Sequence, residues 1–546
     1  MINRKWLIAI LAGVIMAGSA FNYAYKDKLY EISKNIEIFI NVYKELNANY
    51  VDDIDPTQLM SVGLDAMVGS LDPYTNYISE SEVTSYRIST DGKYQGIGAI
   101  VSKIDDYVTI VEPYAESPVL EAGLKAGDQI IAIEGLSTKG KTREEVTQIY
   151  RGVPGTKVNL TIQRPGESIP FEVDLVREEV DIPNVPYSGW VDPDVGYVSL
   201  TTFTIGASKN IRLALRNMRN ENPNMKGVIL DLRNNGGGLL AEAIKVSNIF
   251  IPKGKEVVSV KSKVRERDVS YSTQDLPVSE DMPLVVLINK NSASASEIVS
   301  GTIQDYDRGV LMGQRSYGKG LVQNTKQVGY QSQVKLTTSK YYIPSGRCIQ
   351  SVEYKDGEPV DIPDDKRAKF KTRAGRTVLD GGGVSPDVYL EVVDKADYLQ
   401  ALEQSHIIFK YVTDYMQEAE FQDSVLKEVV FEDFEDFKSY VQSSGFNFES
   451  SQEKQLEKLK SNLGDGYDKS LKQDVDNLIQ KISLYDNNAI DIFKDDIIDR
   501  IELEIATRLR FQEGKIYQRL EDDGEIVEAI SLLKDSNRYN QLLEVR

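Results

Sequence analysis

Histidine and cysteine are nearly missing from this sequence. Its 546 residues include one histidine, His406, and one cysteine, Cys348. A single cysteine excludes an intrachain disulfide and a CxxC metal site. One histidine and one cysteine also leave too few ligands for an ordinary zinc site. Any chemistry must therefore use Ser, Thr, Lys, Asp, Glu or Tyr.

Positive charge is also scarce: 64 Lys and Arg residues stand against 84 Asp and Glu residues, for a net charge of −20. Binding to nucleic acid needs a basic surface, so nucleic acid is not expected as a partner. Hydrophobic residues make up 41% and charged residues 27% of the chain, which is an ordinary globular composition. The length exceeds what one hydrophobic core normally supports and predicts three or four domains.

The first 25 residues differ from everything that follows. Arg4 and Lys5 precede an apolar run from Trp6 to Ala20 that ends in small residues. This pattern is typical of an export signal. Extension of the run to Tyr25 gives about 20 residues, enough for a retained membrane anchor, so cleavage and retention both stay open. Either reading predicts that the rest of the chain is sent out of the cytoplasm and that the N-terminus contacts the membrane.

Residues 26–82 have a helical pattern. Apolar residues recur at spacings of three and four in LYEISKNIEIFINVYKELNANYV. The stretch DPTQLMSVGLDAMVGSL predicts a second helix, with Asp55 as its N-cap and Pro56 in its first turn. We expect this segment to serve packing or dimerisation, and a homodimer is the preferred assembly.

Residues 83–178 combine short strands with glycine-containing turns, which predicts a small, partly open barrel with two short helices. The stretch SPVLEAGLKAGDQIIAIEG resembles a PDZ domain. The resemblance implies that Gly96, Ile97 and Gly98 form the loop whose N–H groups receive the C-terminal carboxylate of a peptide. Glycines allow the backbone to approach an anion closely, and an edge strand can accept the peptide as an added strand.

Residues 179–390 alternate between two periodicities. GVILDLRN and PLVVLINK are rich in Val, Ile and Leu, whereas ASKNIRLALRNMRNE and GLLAEAIKVSNIF are helical in period. This alternation predicts a parallel or mixed sheet covered by helices.

Residues 391–546 are helical and highly charged, which predicts a C-terminal helical domain for assembly or positioning, with His406 on a helix face.

The stretch NSASASE, residues 291–297, lies between the strand PLVVLINK and a predicted helix. Ser292 or Ser294 could simply cap that helix. A serine at this junction could also be a nucleophile, because the N–H groups of the first helical turn point toward it and can stabilise an oxyanion.

Two further stretches bear on this choice. GQRSYGKGLVQ places Lys319 between two glycines, 25 positions after Ser294. A lysine is a useful base when burial or a nearby cation lowers its pKa, and Ser–Lys pairs are an established variant of serine catalysis. The alternative for Lys319 is an exposed loop lysine with no role in catalysis.

The glycine run of ILDLRNNGGGLL opens a helix as phosphate-binding loops do, but this stretch lacks the GxxxxGK[ST] pattern. Gly236–Gly238 more plausibly bring a backbone N–H close to a reacting carbonyl.

Six stretches, in order, resemble the carboxyl-terminal processing proteases, the tail-specific peptidases of the S41 type. They are LDPYTNYIS, the PDZ-like stretch, DLRNNGGGLL, NKNSASASEI, YGKGLVQ and GGGVSPDV, and the resemblance covers residues 36–388. It implies a multi-domain α/β protein in which a crotonase- or Clp-protease-like peptidase core carries an inserted PDZ-like domain, N-terminal helices and a C-terminal helical domain. It also implies a serine endopeptidase that recognises the C-termini of exported proteins and needs no cofactor.

Residue roles follow from the same resemblance. Ser294 becomes the nucleophile and Lys319 the general base. Gln323 matches a glutamine that helps to hold the lysine. The N–H groups of Ala295 and of one glycine, with Gly237 preferred, would form the oxyanion hole.

The chain departs from the family pattern at one point, because Asn235 and Gly236 stand where proline or serine usually precedes the paired glycines. The choice of the glycine that forms the oxyanion hole therefore stays open.

Arg151, in YRGVPGT, matches a recurring arginine that could couple peptide binding to the protease core. The C-terminal domain could recruit an adaptor or a lipoprotein partner. The alternatives to a protease are an inactive PDZ scaffold and a non-proteolytic protein on a crotonase-like fold.

Overall fold

The computed structural model describes residues 29–80, 82–83, 93–150, 152–350, 354–355, 358–359, 363–391, 396–418, 428–463, 468–520 and 522–543. These residues form two compact units, one of residues up to 79 with residues 325–336, and one of the remainder. The predicted export segment, residues 1–25, lies outside the described residues. Among the helices that are described, none is both long enough and apolar enough to cross a bilayer.

The smaller unit contains helix α1 (29–49), helix α2 (Pro56–Gly69), strand β1 (Asn76–Ile78) and residues 325–336. The Asp55 carboxylate caps α2 by accepting the N–H groups of Thr57 and Gln58, so the predicted cap is confirmed. Pro56 occupies the first turn, where its missing N–H costs nothing.

The next region is rich in antiparallel strands. Its elements are β2 (Lys93–Gly96), β3 (Ala99–Ile104), β4 (Tyr107–Pro113), α3 (Pro118–Glu121), β5 (Gln129–Ile133), β6 (Leu136–Ser137), α4 (Arg143–Tyr150), β7 (Lys157–Gln163), β8 (Phe171–Val176) and β9 (Glu178–Asp181). The sheet has the order β3-β4-β5-β7-β8, with β6 beside β5, while β2 pairs with β9. Strand β3 is therefore an edge strand, as peptide addition requires.

A mixed sheet forms the centre of the larger unit. The elements of this region are β10 (Tyr187–Asp192), β11 (Val195–Ser199), α5 (Ala207–Glu221), β12 (Gly227–Asp231), α6 (Leu240–Phe250), β13 (Glu256–Ser262), β14 (Val269–Ser272), β15 (Leu284–Ile288), α7 (Ala295–Asp305), β16 (Val310–Gly313), β17 (Leu321–Gly329), β18 (Ser332–Tyr342), β19 (Tyr354–Lys355), β20 (Glu358–Pro359), β21 (Lys369–Lys371), β22 (Thr377–Leu379) and β23 (Val388–Tyr389). The sheet order is β10-β11-β12-β15-β16-β23, and every pair except β10–β11 is parallel. The predicted parallel or mixed sheet is confirmed.

Nine helices are described in the C-terminal region. They are α8 (Asp397–Gln404), α9 (Ile407–Glu418), α10 (Phe434–Ser443), α11 (Ser451–Asn462), α12 (Lys469–Asn487), α13 (Ala489–Ile492), α14 (Lys494–Arg519), α15 (Gly524–Lys534) and α16 (Ser536–Leu542). Helix α14 is broken at Arg510 and Phe511, whose backbone angles are not helical. His406 has a φ of 56° in the turn between α8 and α9, so its prediction as a helix-face residue is wrong.

The central sheet is covered on both faces. Its buried residues on one side, such as Leu230 and Val286, pack with α5, α6 and α7. Their neighbours Ile229 and Val285 point to the other side, because successive side chains of a strand alternate between faces. That second face is covered by apolar side chains of the C-terminal helices, including Leu532. The last two helices therefore pack on the central sheet.

Candidate active site

Three loops with predicted site residues leave the same edge of the central sheet. Strands β12, β15 and β16 are parallel neighbours, with Asp231 opposite Leu287 and Ile288 opposite Gly313. Each strand ends in one loop: the glycine run, the serine stretch or the Lys319 loop. Because the carboxyl ends of parallel strands meet at one edge, the fold brings the three motifs together where α/β proteins bind ligands.

Ser294 sits at the junction of strand and helix in an unusual backbone conformation. Its φ of 57° and ψ of −110° place it immediately before the first residue of α7. A side-chain-bearing residue with positive φ is strained, and such strain concentrates at functional sites. The side chain is half-buried, so it remains accessible. These features favour Ser294 over its neighbours as a nucleophile.

Ser292 has a structural role instead. It is fully buried. Its hydroxyl donates to the carbonyl oxygen of Leu232 at 2.8 Å and accepts the N–H of Asn289 at 2.9 Å. The hydroxyl therefore ties the ends of β12 and β15 together, and the role of Ser294 as nucleophile stays a prediction.

The glycine loop lies directly against the serine loop. The carbonyl oxygen of Asn235 accepts the Ala293 N–H at 3.0 Å and the Ser296 hydroxyl at 2.8 Å. A Cβ added at Gly237 would lie 2.8 Å from the Cβ of Ser294 and 3.0 Å from the backbone nitrogen of Ala295. Only glycine fits so close to Ser294, and its φ of 102° favours the same residue.

The two predicted oxyanion donors differ in their present bonding. Ala295 is the first residue of α7, and in the described part of the chain its N–H has no acceptor, as is usual at a helix start. The Gly237 N–H, in contrast, donates to the side-chain oxygen of Asn235 at 2.9 Å. Gly237 lies close to Ser294 as predicted, but its N–H could bind an oxyanion only after its hydrogen bond to Asn235 is broken.

Glu297 is the residue that the sequence did not reveal. Its carboxylate is completely buried and accepts four hydrogen bonds. One oxygen accepts the N–H groups of Ser294 and Lys319, both at 2.8 Å. The other accepts the Ser316 hydroxyl at 2.6 Å and the Gly318 N–H at 2.7 Å. One side chain thus joins the serine loop to the lysine loop.

The electrostatics of Glu297 reflect two opposing effects. Burial raises its pKa above the ordinary value, and the four hydrogen bonds act in the opposite direction. Because all four partners donate, the carboxylate form alone satisfies every one of them. The residue could have been suspected from the S-x-x-E spacing of a capping box, but nothing in that pattern points to the lysine loop.

Tyr341, on β18, makes a second link between the two loops. Its hydroxyl is hydrogen-bonded to the carbonyl oxygen of Lys319 and lies 3.2 Å from that of Ser294. The side chain is almost fully buried. Tyr341 and Glu297 together fix both backbone ends of Lys319, whose side chain is half-buried.

Gln323 lies on β17, four residues after Lys319. Its amide nitrogen donates to the Thr337 hydroxyl on β18 at 3.1 Å. This bond orients the side chain across the hairpin. The predicted role of Gln323 in holding the lysine stays a prediction.

The predicted carboxylate-binding loop joins β2 to β3. The carbonyl oxygens of Ile97 and Gly98 accept the N–H groups of Val119 and Tyr114 at 3.1 and 2.9 Å. Neither Ile97 nor Gly98 donates its own N–H to an acceptor that the structure describes. Gly98 has a φ of 81°, and a Cβ there would lie 2.4 Å from the Cβ of Ser117. The preceding Gly96 ends strand β2 and is buried, and Arg151 lies outside the described residues.

A GxxxxGK[ST] match does occur in the PDZ-like region, in GLSTKGKT at residues 135–142. The structure shows no open phosphate cradle there. The N–H groups of Gly140, Lys141 and Thr142 donate to the Asp106 carbonyl, the Thr138 carbonyl and the Glu145 carboxylate at 2.9, 3.0 and 2.7 Å. Since the loop's N–H groups are used within the domain, this match carries no nucleotide prediction.

Comparison with known families gives three matches along the chain. Residues 95–175 match the PDZ domain, residues 194–359 match peptidase family S41, and residues 398–533 match the probable PDZ-protease C-terminal helical domain. The domain boundaries drawn from the sequence stay predictions.

Named relatives match most of the chain. The carboxy-terminal-processing protease of Bartonella bacilliformis is 33% identical over 351 residues, which cover 63% of this chain and 80% of the relative. The probable CtpA-like serine protease of Staphylococcus aureus is 34% identical over 370 residues, covering 66% and 73%. A solved PDZ domain of the carboxy-terminal protease from Vibrio cholerae, in complex with peptide, is 31% identical and covers 16% of this chain and 99% of its own, with a TM-score of 0.16.

The matches run through the site built above. The peptidase match contains the glycine loop, Ser294 and Lys319, and the PDZ match contains the loop at Gly96–Gly98. The chain therefore belongs to the carboxy-terminal-processing serine proteases of peptidase family S41, with a PDZ domain before its peptidase core and a helical domain after it.

Proposed function

We propose that this protease uses a Ser–Lys dyad, with Ser294 as nucleophile and Lys319 as general base. The observation that carries the proposal is the buried carboxylate of Glu297, which accepts the backbone N–H of both residues at 2.8 Å. A shared acceptor fixes the distance between the two backbones, as a pair that must exchange a proton requires.

The reaction has two halves. Neutral Lys319 takes the proton of the Ser294 hydroxyl while its oxygen attacks the scissile carbonyl carbon. The tetrahedral intermediate collapses to an acyl-enzyme, and the lysine gives the proton to the leaving amine. Water, deprotonated by Lys319, then attacks the ester carbonyl, the bond to the Ser294 oxygen breaks and releases the new C-terminus, and the lysine returns the proton to that oxygen. The Ala295 N–H is the oxyanion donor that is available without rearrangement.

We infer that the PDZ domain selects substrates by their free C-termini. The N–H groups of the Gly96–Gly98 loop would bind the terminal carboxylate, and the last residues would add as a strand to the edge strand β3 beside α4. Arg151 is proposed to couple peptide binding at this loop and strand to the peptidase core.

The natural substrates are proposed to be exported proteins on the periplasmic side of the envelope, and the N-terminal segment is proposed to direct or anchor the enzyme there. An adaptor or lipoprotein bound by the C-terminal domain is a further proposed partner.

A homodimer is the proposed assembly, and α1 supports it. Leu29, Ile32, Ile36 and Phe39 follow spacings of three and four residues along this helix, and Leu46 lies seven residues after Phe39; their exposed fractions run from 39% to 55%. An apolar seam of this period is typical of helices that pair with another helix. The proposed partner is α1 of a second copy of the chain, because most oligomers are symmetric and pair the same surface of two copies.

The test compares wild type with Ser294→Ala and Lys319→Ala on an unfolded reporter that ends in either an apolar or a charged C-terminus. Both variants should lose cleavage while keeping the wild-type circular dichroism spectrum, and wild type should prefer the apolar tail. Lys290→Ala removes an exposed lysine near the same strand end and should cleave normally. Near-normal turnover by Lys319→Ala would show that the dyad is wrong, and equal cleavage of both tails would argue against tail selection.

A further inference from the structure

The start of helix α15 contacts the loop that leads to the glycine run. The Arg233 guanidinium lies 2.8 Å from the Asp523 carboxylate and 2.5 Å from the Glu525 carboxylate. Arg233 and these two residues are nearly 300 positions apart in the sequence. A region outside the S41 match thus supplies two charges to the segment just before the active-site glycines.

Arg233 itself is fixed at the end of β12. Its guanidinium nitrogens lie 2.7–3.1 Å from both carboxylate oxygens of Asp231, and its N–H donates to the same group at 2.8 Å. The Tyr197 hydroxyl donates to Asp231 at 2.8 Å. This two-point contact orients the planar guanidinium, and the side-chain carboxylates of Asp523 and Glu525 then bind its remaining edge.

Two residues later the same loop contacts the nucleophile segment. The Asn235 carbonyl accepts from Ala293 and Ser296, on either side of Ser294. Its side-chain oxygen accepts the Gly237 N–H at 2.9 Å. A displacement of Arg233 would therefore pass through a short, hydrogen-bonded segment to the groups that surround Ser294.

Because Arg233 is buried, it needs the side-chain carboxylates of Asp523 and Glu525 as partners. The side chains of Arg233, Asp523 and Glu525 are exposed by only 14%, 18% and 17%. A buried guanidinium that loses two of its three carboxylate partners must find others or draw in water, and either response moves the loop. The position of the carboxylates is itself fixed, because Asp523 also caps α15 by accepting the N–H groups of Glu525 and Ile526.

We infer that Asp523 and Glu525 are positioning residues for the peptidase reaction: through Arg233 they hold the glycine loop against Ser294, so that the C-terminal helices complete the active site. The inference rests on the proposed function of that site. It differs from a purely structural role because it predicts a loss in the chemical step, not only in stability.

The experiment uses the full chain with Asp523→Asn and Glu525→Gln, singly and together. Asparagine keeps the helix cap, and glutamine keeps the side-chain volume. The double variant should lose roughly ten- to a hundred-fold in kcat on a short reporter peptide with KM unchanged, because a small misplacement near the reacting atoms costs that much. The matched control is Lys534→Met, which breaks the ion pair of the same helix with Asp192 at 2.5 Å and should leave kcat at the wild-type value.

A double-mutant cycle shows whether the two carboxylates act through Arg233. Arg233→Lys keeps the charge but not the fork of donors. Its loss of kcat should not add to that of the double variant. Additive losses, a wild-type kcat in the double variant, or an equal loss in Lys534→Met would each overturn the inference.

Amide hydrogen exchange gives a readout that is independent of catalysis. Residues 234–240 should exchange faster in the Asp523→Asn/Glu525→Gln variant than in wild type or Lys534→Met. Unchanged exchange there would overturn the inference even if wild type did not cleave the reporter. The proposed dyad fails separately, through normal cleavage by Lys319→Ala.

Discussion

The Glu297 carboxylate accepts the backbone N–H of Ser294 at 2.8 Å. The same oxygen accepts the Lys319 N–H, so one buried anion sets the spacing of the two proposed catalytic residues. Charge-assisted hydrogen bonds of this kind are stronger than neutral ones and are little screened in a buried site. Glu297 is therefore placed to align the dyad without touching the substrate.

Glu297→Gln should lower kcat by about a hundred-fold while changing KM little, because one of its oxygens becomes an N–H₂ group that faces two donors. Leaving buried donors unpaired should also lower the free energy of unfolding by about 1–3 kcal/mol. Steady-state kinetics and urea unfolding measure the two effects. Glu242→Gln is the control, since that buried carboxylate accepts the N–H and hydroxyl of Ser208 and contacts no proposed catalytic residue. Wild-type kcat in Glu297→Gln would contradict the alignment role.

Tyr341→Phe should remove the hydroxyl that joins the Lys319 and Ser294 carbonyls. We expect a several-fold lower kcat and a loss of about 1 kcal/mol in unfolding free energy, the usual net contribution of a hydrogen bond. Tyr306→Phe is a matched control, because its hydroxyl donates to the Glu256 carbonyl at 2.8 Å on another part of the fold. If both variants lose stability but neither loses kcat, Tyr341 contributes to stability alone.

Local sequence signals predicted much of this architecture. Asp55 and Pro56 mark the start of α2, because a helix cap depends on residues within one turn. The strand–loop–helix order around Ser294 follows from the change in hydrophobic period at that point. These features need no knowledge of distant contacts.

The remainder depends on contacts between distant segments. Nothing near Glu297 in the sequence indicates that the Lys319 loop will donate to it, and nothing near Asp523 indicates Arg233 as its partner. The helical period of residues 524–542 predicted helices but not the surface that they cover, since an apolar stripe fits any apolar partner. His406 was misplaced because a single residue with positive φ can separate two helices without glycine or proline.

Gly98→Ala should weaken the binding of a peptide with a free apolar C-terminus while leaving the hydrolysis of a short reporter unchanged. The added Cβ would lie 2.4 Å from that of Ser117, and the φ of 81° is unfavourable for alanine. Gly135→Ala is the control, because its φ of 74° brings similar strain with no atom within 4 Å of the new Cβ. Fluorescence anisotropy of a labelled tail peptide measures the difference. Equal weakening in both variants would assign the effect to strain alone and argue against a docking role for this loop.

Glu112 links the PDZ domain to the C-terminal helices, because its carboxylate accepts a hydrogen bond from the Gln512 side chain at 2.6 Å. The residue is only 6% exposed. Burial raises the pKa of Glu112 above its ordinary value of 4.5, and the bond from Gln512 opposes that shift. The folded state therefore binds a proton more tightly than the unfolded state does, and this contribution to stability is present at low pH and lost as pH rises from 4.5 through the raised pKa.

Glu112→Gln replaces this carboxyl by a neutral group of the same shape, which can still accept from Gln512. The variant should therefore have a higher free energy of unfolding than wild type at pH 7, and the advantage should shrink as the pH falls below the raised pKa. Urea unfolding monitored at several pH values between 4 and 8 gives the comparison. Glu121→Gln, an exposed position of the same domain, should show no such trend. A constant difference between wild type and Glu112→Gln across this range would show that Glu112 titrates alike in the folded and unfolded chain, and that its burial against the C-terminal helices carries no charge penalty.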